Sequence, residues 1–215
     1  MPVKNYLKNN SELTSKIEQL FFSQDESNVA LACELMKGGG MPDSIARELS
    51  DPGAQLYFLV KHGLIHPFIH QEELDLSRLD LSSLPESLLQ LQNVRFLNLF
   101  YNQFIQLPAI VCQLLPLKKL WVHHNQLTSI PENLGNLYQL EELVLSFNQL
   151  KTLPDSIGLL SNLRVLYLHH NQLTSLPTVL KTLPQLQKIT LWKNAFTLEE
   201  EVKLADDFAS IELVF

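Results

Sequence analysis

The sequence LWVHHNQLTSIP at residues 120–131 returns almost unchanged as LYLHHNQLTSLP at residues 166–177. The two copies begin 46 residues apart (166 − 120), and half of that interval is the true period. One asparagine and one proline recur every 23 residues. They are Asn102, Asn125, Asn148, Asn171 and Asn194, with Pro85, Pro108, Pro131, Pro154 and Pro177. A fixed period of this size is the sequence signature of a repeat protein.

Each unit follows the pattern LxxLxLxxNxLxxLPxxIxxLxx, with leucine or another apolar residue at nearly every fixed position. In the LxL segment two apolar residues alternate with an outward one, which is the period of a β-strand. A single short strand cannot bury its own apolar side, so neighbouring units must stack and share a core. The asparagine that follows carries two amide donors and an acceptor. It is therefore suited to pair with buried backbone groups where the chain turns inward.

This pattern resembles the leucine-rich repeat, in a 23-residue form with Leu-Pro after the asparagine, over residues 71–196. The resemblance, to cytoplasmic bacterial members in particular, implies an α/β solenoid. It would be a curved array of about six repeats with a parallel concave sheet, joined by extended or loosely helical return segments. Leu79 stands at the asparagine position of the first repeat. The ladder of asparagine hydrogen bonds is therefore expected to begin with Asn102.

Residues 1–70 carry no repeat and are predicted to be a helical N-terminal region, either a cap or a separate docking module. Short helices are predicted over 11–22, 27–37, 42–50 and 53–62, with Gly38-Gly39-Gly40 ending the second. The glycines do not suggest a phosphate-binding loop, because no strand precedes them and no Lys-Ser/Thr follows.

Residues 197–215 are predicted to be a C-terminal cap. Thr197 and Glu200 have the spacing of a capping box, so a helix should begin there. Its apolar side is predicted to comprise Val202, Leu204, Ala205 and Phe208. The final IELVF alternates as a terminal strand would.

The outward strand positions are the candidate binding surface, because the leucines between them are committed to the core. Aromatic rings and histidines are dense there, and Trp and Tyr give large contact area with few rotatable bonds. Acidic residues lie toward one end, at Glu73 and Asp75, and basic residues toward the other, at Lys188 and Lys193. The predicted partner-binding residues are Phe96, Asn98, Phe100, Tyr101, Lys119, Trp121, His123, His124, Phe147, Tyr167, His169, His170 and Trp192. An alternative for Tyr101 and Phe147 is that they fold back over the strand ends as packing.

The simplest interpretation of the histidines is that HHNQL is a repeated segment that supplies polar surface. Two other possibilities are a metal site and a hydrolase. His123 and His169 lie two strands apart, about 10 Å by strand spacing, which is too far for a shared zinc ion. Ser146 lies between them but lacks an oriented acid and an oxyanion pocket. The chain also lacks HExxH, Walker and GxGxxG motifs. We therefore predict no enzyme, no metal and no cofactor. If the histidines contact the partner, affinity should vary between about pH 5 and 8.

The amino-acid composition argues against a nucleic-acid partner, a membrane span and a disulfide framework. The 215 residues are 46% hydrophobic with a formal net charge of −7. The negative net charge argues against a nucleic-acid partner, since proteins bind phosphate backbones through Lys and Arg. No run of eighteen apolar residues exists, so no membrane span is predicted. Cys33 and Cys112 are expected to be buried hydrophobic residues rather than a disulfide framework.

The sequence thus predicts a non-catalytic scaffold that binds a protein or peptide, and a monomer. The N-terminus shows no apolar signal-peptide core. A cytoplasmic location is therefore expected, although signal-independent secretion stays open. The alternative function is a secreted bacterial effector that binds a host protein through the same surface.

Overall fold

The computed structural model describes residues 11–23, 25–39, 41–48, 60 and 70–215. It divides into two compact units. One comprises Met1–Pro67 with Pro85–Leu88, and the other comprises Phe68–Leu84 with Leu89–Phe215. No helix in the described part of the chain is long and apolar enough to cross a bilayer.

The described part of the N-terminal unit includes the helices α1 (Ser11–Phe21), α2 (Glu26–Gly39) and α3 (Asp43–Glu48). Their buried side chains are Ile17, Ala32, Cys33, Met36 and Ile45. The first three predicted helices are thus present. Our boundary for the second was wrong, because α2 continues through the first two glycines to Gly39. The fourth predicted helix, at 53–62, lies outside the described residues except for residue 60.

The second unit is built on a parallel sheet whose strands are β1 (Glu73–Asp75), β2 (Phe96–Asn98), β3 (Lys119–Trp121), β4 (Glu142–Val144), β5 (Val165–Tyr167), β6 (Lys188–Thr190) and β7 (Glu212–Val214). The sheet order is the chain order. The central residue of every repeat strand is apolar and buried: Leu74, Leu97, Leu120, Leu143, Leu166 and Ile189. These residues align in register across the sheet. The α/β solenoid predicted from the repeat is therefore confirmed.

The asparagines tie each repeat to the one before it. The Asn148 carbonyl accepts the Leu127 N–H at 2.9 Å, and its amide donates to the Val122 and Leu145 carbonyls at 3.0 Å each. Asn148 is only 8% exposed, so these backbone groups depend on it rather than on water. The ladder begins with Asn102, which accepts the N–H groups of Leu79 and Leu81 in the first repeat.

Each return segment contains a short 3-10 turn: Glu86–Gln90, Val111–Gln113, Glu132–Asn136, Asp155–Leu159 and Thr178–Thr182. Pro131 and Pro154 immediately precede two of them in an extended conformation. Proline suits this position because its ring fixes φ and removes an N–H that would have no helical partner. The expectation of extended or loosely helical returns is confirmed.

Two glycines allow neighbouring 3-10 turns to pack closely. A Cβ at Gly135 would lie 2.8 Å from Leu159 Cδ1 and 2.9 Å from the Ser156 carbonyl oxygen. A Cβ at Gly158 would lie 2.8 Å from Val179 Cβ. At these two positions the neighbouring turns are therefore packed at a distance that only glycine permits.

Gly135→Ala is expected to lower the free energy of unfolding by about 1–3 kcal/mol, because the methyl group would press on a backbone carbonyl that cannot rotate away. Urea unfolding monitored by circular dichroism would measure the change. Asn136→Ala, at an exposed position in the same turn, is the control and should have little effect. Equal stability of the Gly135 variant and the native chain would show that the turns are not tightly packed.

The C-terminal cap consists of α4 (Leu198–Asp207) followed by β7. Thr197 and Glu200 form the predicted capping box, and β7 pairs with β6 as the predicted terminal strand. Leu204 and Phe208 are buried as expected. Our prediction was wrong for Val202, which is 57% exposed, and for Ala205, also exposed. Val202 precedes Leu204 by two residues, about 200° around the helix, and so lies on the opposite side.

Candidate functional site

The outward side chains of the strands form one surface, which we call the strand face. Trp121 and Tyr167 align through Val144, which lies between them on β4. Both point to the same side of the sheet, two strands apart, and both are half-buried. The leucines that alternate with them are fully buried on the other side. The outward orientation expected for these two mid-strand candidates is therefore present.

Rings at the carboxyl ends of the strands stack from repeat to repeat. We call this set the ring lane: Tyr101, His124, Phe147 and His170, with Phe100, His123, His169 and Trp192 beside them. Phe147 lies between two imidazoles, with centroids 4.0 Å from His124 and 4.0 Å from His170, at interplanar angles of 12° and 17°. His123 stacks on Phe100 at 4.3 Å, and His169 stacks on Trp192 at 4.5 Å.

The ring lane stands on a left-handed backbone. Tyr101, His124, Phe147 and His170 have φ between 53° and 55°. This conformation costs roughly 1–2 kcal/mol for a residue other than glycine. Hydrogen bonds maintain this conformation, because the backbone N–H of each of these four residues donates to a carbonyl of the next repeat. The Phe147 N–H, for example, donates to the His169 carbonyl at 3.0 Å. Tyr101 is 55% exposed and Phe147 packs between histidines. Neither is a core residue, although Phe147 does pack within the surface itself.

The remaining predicted residues differ in how much of their side chain is exposed to a partner. Lys119 is exposed, whereas Phe96 is half-buried with its ring edge-on to Trp121 at 4.8 Å. The Trp121 indole N–H donates to a Glu142 carboxylate oxygen at 2.8 Å, which fixes the ring. Asn98 is only 8% exposed, and its side chain accepts the Phe100 N–H at 3.0 Å. Asn98 thus supports the strand end and presents little surface.

A groove of about 720 Å³ runs beside the ring lane. It is lined by Asp80, Tyr101, Asn102, Gln103, His124, Asn125, Gln126, Phe147, Asn148, Gln149 and His170. The glutamines were not among the predicted site residues. Each immediately follows a ladder asparagine, so the recurring Asn-Gln pair was the signal that could have revealed them. Their exposed amides supply donors and acceptors along one side of the groove.

Burial lowers the pKa of the lane histidines. The pKa of His123 falls from 6.5 to about 4, first because of burial and then because of the nearby His124 and His169. Burial also lowers the pKa of His124, with Arg78 adding repulsion, and that of His170, with Lys193 adding repulsion. The pKa of His169 is likewise lowered by burial. These imidazoles are therefore mainly neutral at pH 7, and a pH effect on binding is expected below pH 6.5 rather than up to pH 8.

The elements of a hydrolase are not aligned around Ser146, which is only 2% exposed. His169 Nδ1 is hydrogen-bonded to Thr190 Oγ1 at 2.8 Å, and the Glu142 carboxylate accepts a hydrogen bond from Trp121.

Burial raises the pKa of the Cys112 thiol to about 12, so its reactive thiolate is disfavoured. Among the described residues, no three His, Cys, Asp or Glu side chains are grouped to hold a metal ion.

The histidine pKa values predict that stability decreases in mild acid. Well above pH 6.5 the lane histidines are neutral in both the folded and the unfolded chain, so protonation does not reduce the free energy of unfolding. As the pH falls, the unfolded chain takes up protons near 6.5, whereas folded His123 does so only near 4. The free energy of unfolding should therefore decrease across this window. We expect about 1–2 kcal/mol from His123, less than the full shift implies because the side chain is only partly buried.

Urea unfolding at pH 7, 6, 5 and 4.5 would measure this slope. His123→Phe, which keeps the stacking on Phe100, should remove much of it. His70→Gln, at an exposed position, is the control and should leave it unchanged. The same slope in native chain and His123→Phe would show that another group causes the pH dependence.

Comparisons with known proteins agree with this architecture. A family model described as Leucine rich repeat matches residues 115–173 and 138–196. A solved leucine-rich repeat protein of Leptospira interrogans is 34% identical, with a TM-score of 0.67 over 70% of this chain. Internalin C2 of Listeria monocytogenes is 23% identical, with a TM-score of 0.54 over 66% of this chain, and shows similarity of fold alone.

The chain spans only 38% of the Leptospira protein and 59% of the internalin. No curated protein matches the sequence. The 23-residue ladder, the matched family model and the similarity to the Leptospira protein together identify this chain as a leucine-rich repeat protein.

Proposed function

We propose that this protein binds a protein or peptide partner through the strand face and acts without catalysis. The observation that carries the proposal is the ring lane: eight rings in two adjacent rows, with four stacked pairs and seven of the rings only half-buried. Folding alone does not require bulky rings at left-handed positions, where glycine or asparagine would be less strained. Their presence favours a role in recognition.

The rings of the strand face are also preorganised. Trp121 is held by its hydrogen bond to Glu142 and by its edge contact with Phe96. A side chain that is already fixed loses little conformational entropy when a partner binds. Aromatic residues fixed in this way are typical of the residues that dominate binding energy in protein interfaces.

Hydrogen exchange on a captured complex would test the proposal. The protein would be used to capture partners from extracts of the source cells, and a purified complex would be compared with the free chain. We expect slower exchange in 96–101, 119–124, 142–147 and 165–170, and unchanged exchange in the 3-10 turns 132–136 and 155–159. Protection confined to the 3-10 turns, or detection of a turnover activity instead of a stable partner, would overturn the proposal.

A further inference from the structure

We infer that the partner contributes an extended segment that crosses the strands. One basic group would lie over the first-repeat end of the ring lane and one acidic group over the Lys193 end. This inference rests on the proposed function and specifies the chemistry of the partner. It is carried by three features of the strand face: the unequal charge at its two ends, the orientation of the stacked rings, and the groove beside them.

The two ends of the ring lane carry opposite charge. At the first repeat the exposed carboxylates of Asp75 and Asp80 lie on either side of Arg78 along the chain and leave that end with a net negative charge. Arg78 has the same repeat position as Lys193, and its guanidinium lies against Phe100 and Tyr101 at 5.1 and 5.4 Å. At the far end, Lys193 is exposed beside Trp192, with its Nζ 5.3 Å from the ring centroid. A partner with uniform charge would be repelled at one end, so the surface favours one basic and one acidic group.

Neighbouring ion pairs do not cancel the charge at the far end. Lys188 is paired with Glu212 at 2.7 Å, which neutralises both groups. Lys193 has no carboxylate within 4.0 Å among the residues that the structure describes. It is therefore the cation at that end that remains available for a partner carboxylate.

The stacked rings cannot act as platforms for a flat ligand. Both faces of Phe147 are covered by imidazoles at 4.0 Å, and the Trp192 ring has His169 on one face. A partner at the centre of the lane therefore meets ring edges, which are electropositive and attract oxygen acceptors. The neutral imidazoles add N–H donors. Backbone carbonyl groups of an extended chain are acceptors of this kind, whereas stacked nucleobases or sugar faces need open ring faces.

The groove beside the ring lane provides further hydrogen-bonding groups for the partner segment. Gln103, Gln126 and Gln149 recur once per repeat along it, and each amide can both donate to and accept from a peptide backbone. The two charged ends belong to the repeats of β1 and β6, which are five intervals apart, about 24 Å at the parallel spacing. An extended chain covers that distance in about seven residues. The two charged groups of the partner should therefore be separated by about that number of positions.

Selection from a random peptide library would test the inference even while the partner is unidentified. Phage-displayed peptides of about twelve residues, long enough to span the lane, would be selected on the immobilised full-length chain. The selected peptides are expected to contain one Lys or Arg and one Asp or Glu separated by five to eight positions, about the span of the lane. Lys193→Glu should change the selection to two basic groups. Asp75→Lys combined with Asp80→Lys should change it to two acidic groups.

Matched charge reversals away from the lane serve as controls. Lys151→Glu and Asp155→Lys are exposed and lie outside the ring lane, so they should leave the selected pattern unchanged. In solution, a selected peptide should bind roughly tenfold more weakly to Lys193→Glu, and replacing its acidic residue with lysine should restore the affinity. Selected peptides without a charge pattern, or with a pattern that the reversals do not alter, would overturn the inference. Selection of no peptide, together with a captured folded partner that protects the strand face, would overturn it and leave the proposed function standing.

Discussion

Replacing Asn148 with alanine is expected to lower the free energy of unfolding by about 2–4 kcal/mol, since each buried backbone group left without a partner costs about 1–3 kcal/mol. Asn148 bonds to the backbone of Leu127, Val122, Leu145 and Ser146 and lies in the middle of the array. Alanine would remove all four bonds, and the site is too buried for water to replace them. Urea denaturation monitored by circular dichroism would measure the loss.

The neighbouring residue provides a matched control for this change. Gln149→Ala removes an exposed amide of similar size, leaves the backbone bonds of residue 149 in place, and should change stability by less than about 0.5 kcal/mol. Asn194→Ala, at the less buried end of the ladder, should have an intermediate effect. If Asn148→Ala were as stable as Gln149→Ala, the side-chain ladder would not be what holds neighbouring repeats together.

Replacing Trp121 and Tyr167 together with alanine is expected to weaken partner binding by about 2–4 kcal/mol, the magnitude of interface hot spots. Both side chains lie on the strand face, and neither contributes to the leucine core. The fold should therefore remain intact, with at most a modest loss from the Phe96 contact and the Glu142 hydrogen bond. Isothermal titration with the captured partner would give the affinity, and circular dichroism would check the fold.

A second double variant serves as a control, because it removes exposed hydrophobic side chains that lie outside the strand face. Ile105 and Tyr138 are 60% and 50% exposed and lie in return segments rather than on the strand face. Ile105→Ala combined with Tyr138→Ala should leave binding unchanged. Equal weakening by both pairs would mean that the partner does not bind through the strand face. Unfolding of the Trp121 and Tyr167 variant would mean that the two rings are structural.

The repeat itself could be predicted from the sequence because each of its constraints is local. The LxL spacing fixes which side of a strand is apolar, and the asparagine is nearly the only side chain that can satisfy several backbone groups at one turn. The capping box at Thr197 and Glu200 is local in the same way. Val202 is apolar but lies about 200° around the helix from Leu204, so helical spacing, which is also a local constraint, places it on the exposed side of α4.

The detailed geometry of the candidate site could not be predicted in this way. The sequence showed that rings and histidines share a surface, but stacking depends on side-chain rotation at left-handed residues of neighbouring repeats. The depressed pKa of His123 likewise arises from burial by Phe100 and other rings contributed by different repeats. Asn98 has the spacing of an outward residue, but its amide is occupied by a local bond to Phe100.

The left-handed backbone at Tyr101, His124, Phe147 and His170 has a consequence for how this protein could diversify. The hydrogen bonds that maintain this conformation run through main-chain atoms, as at Phe147, so they do not depend on which side chain is present. Glycine or asparagine would even relax the local geometry. Tandem copies of one unit could therefore acquire new specificities by exchange of single residues at these positions, while the leucines and asparagines continue to specify the same scaffold.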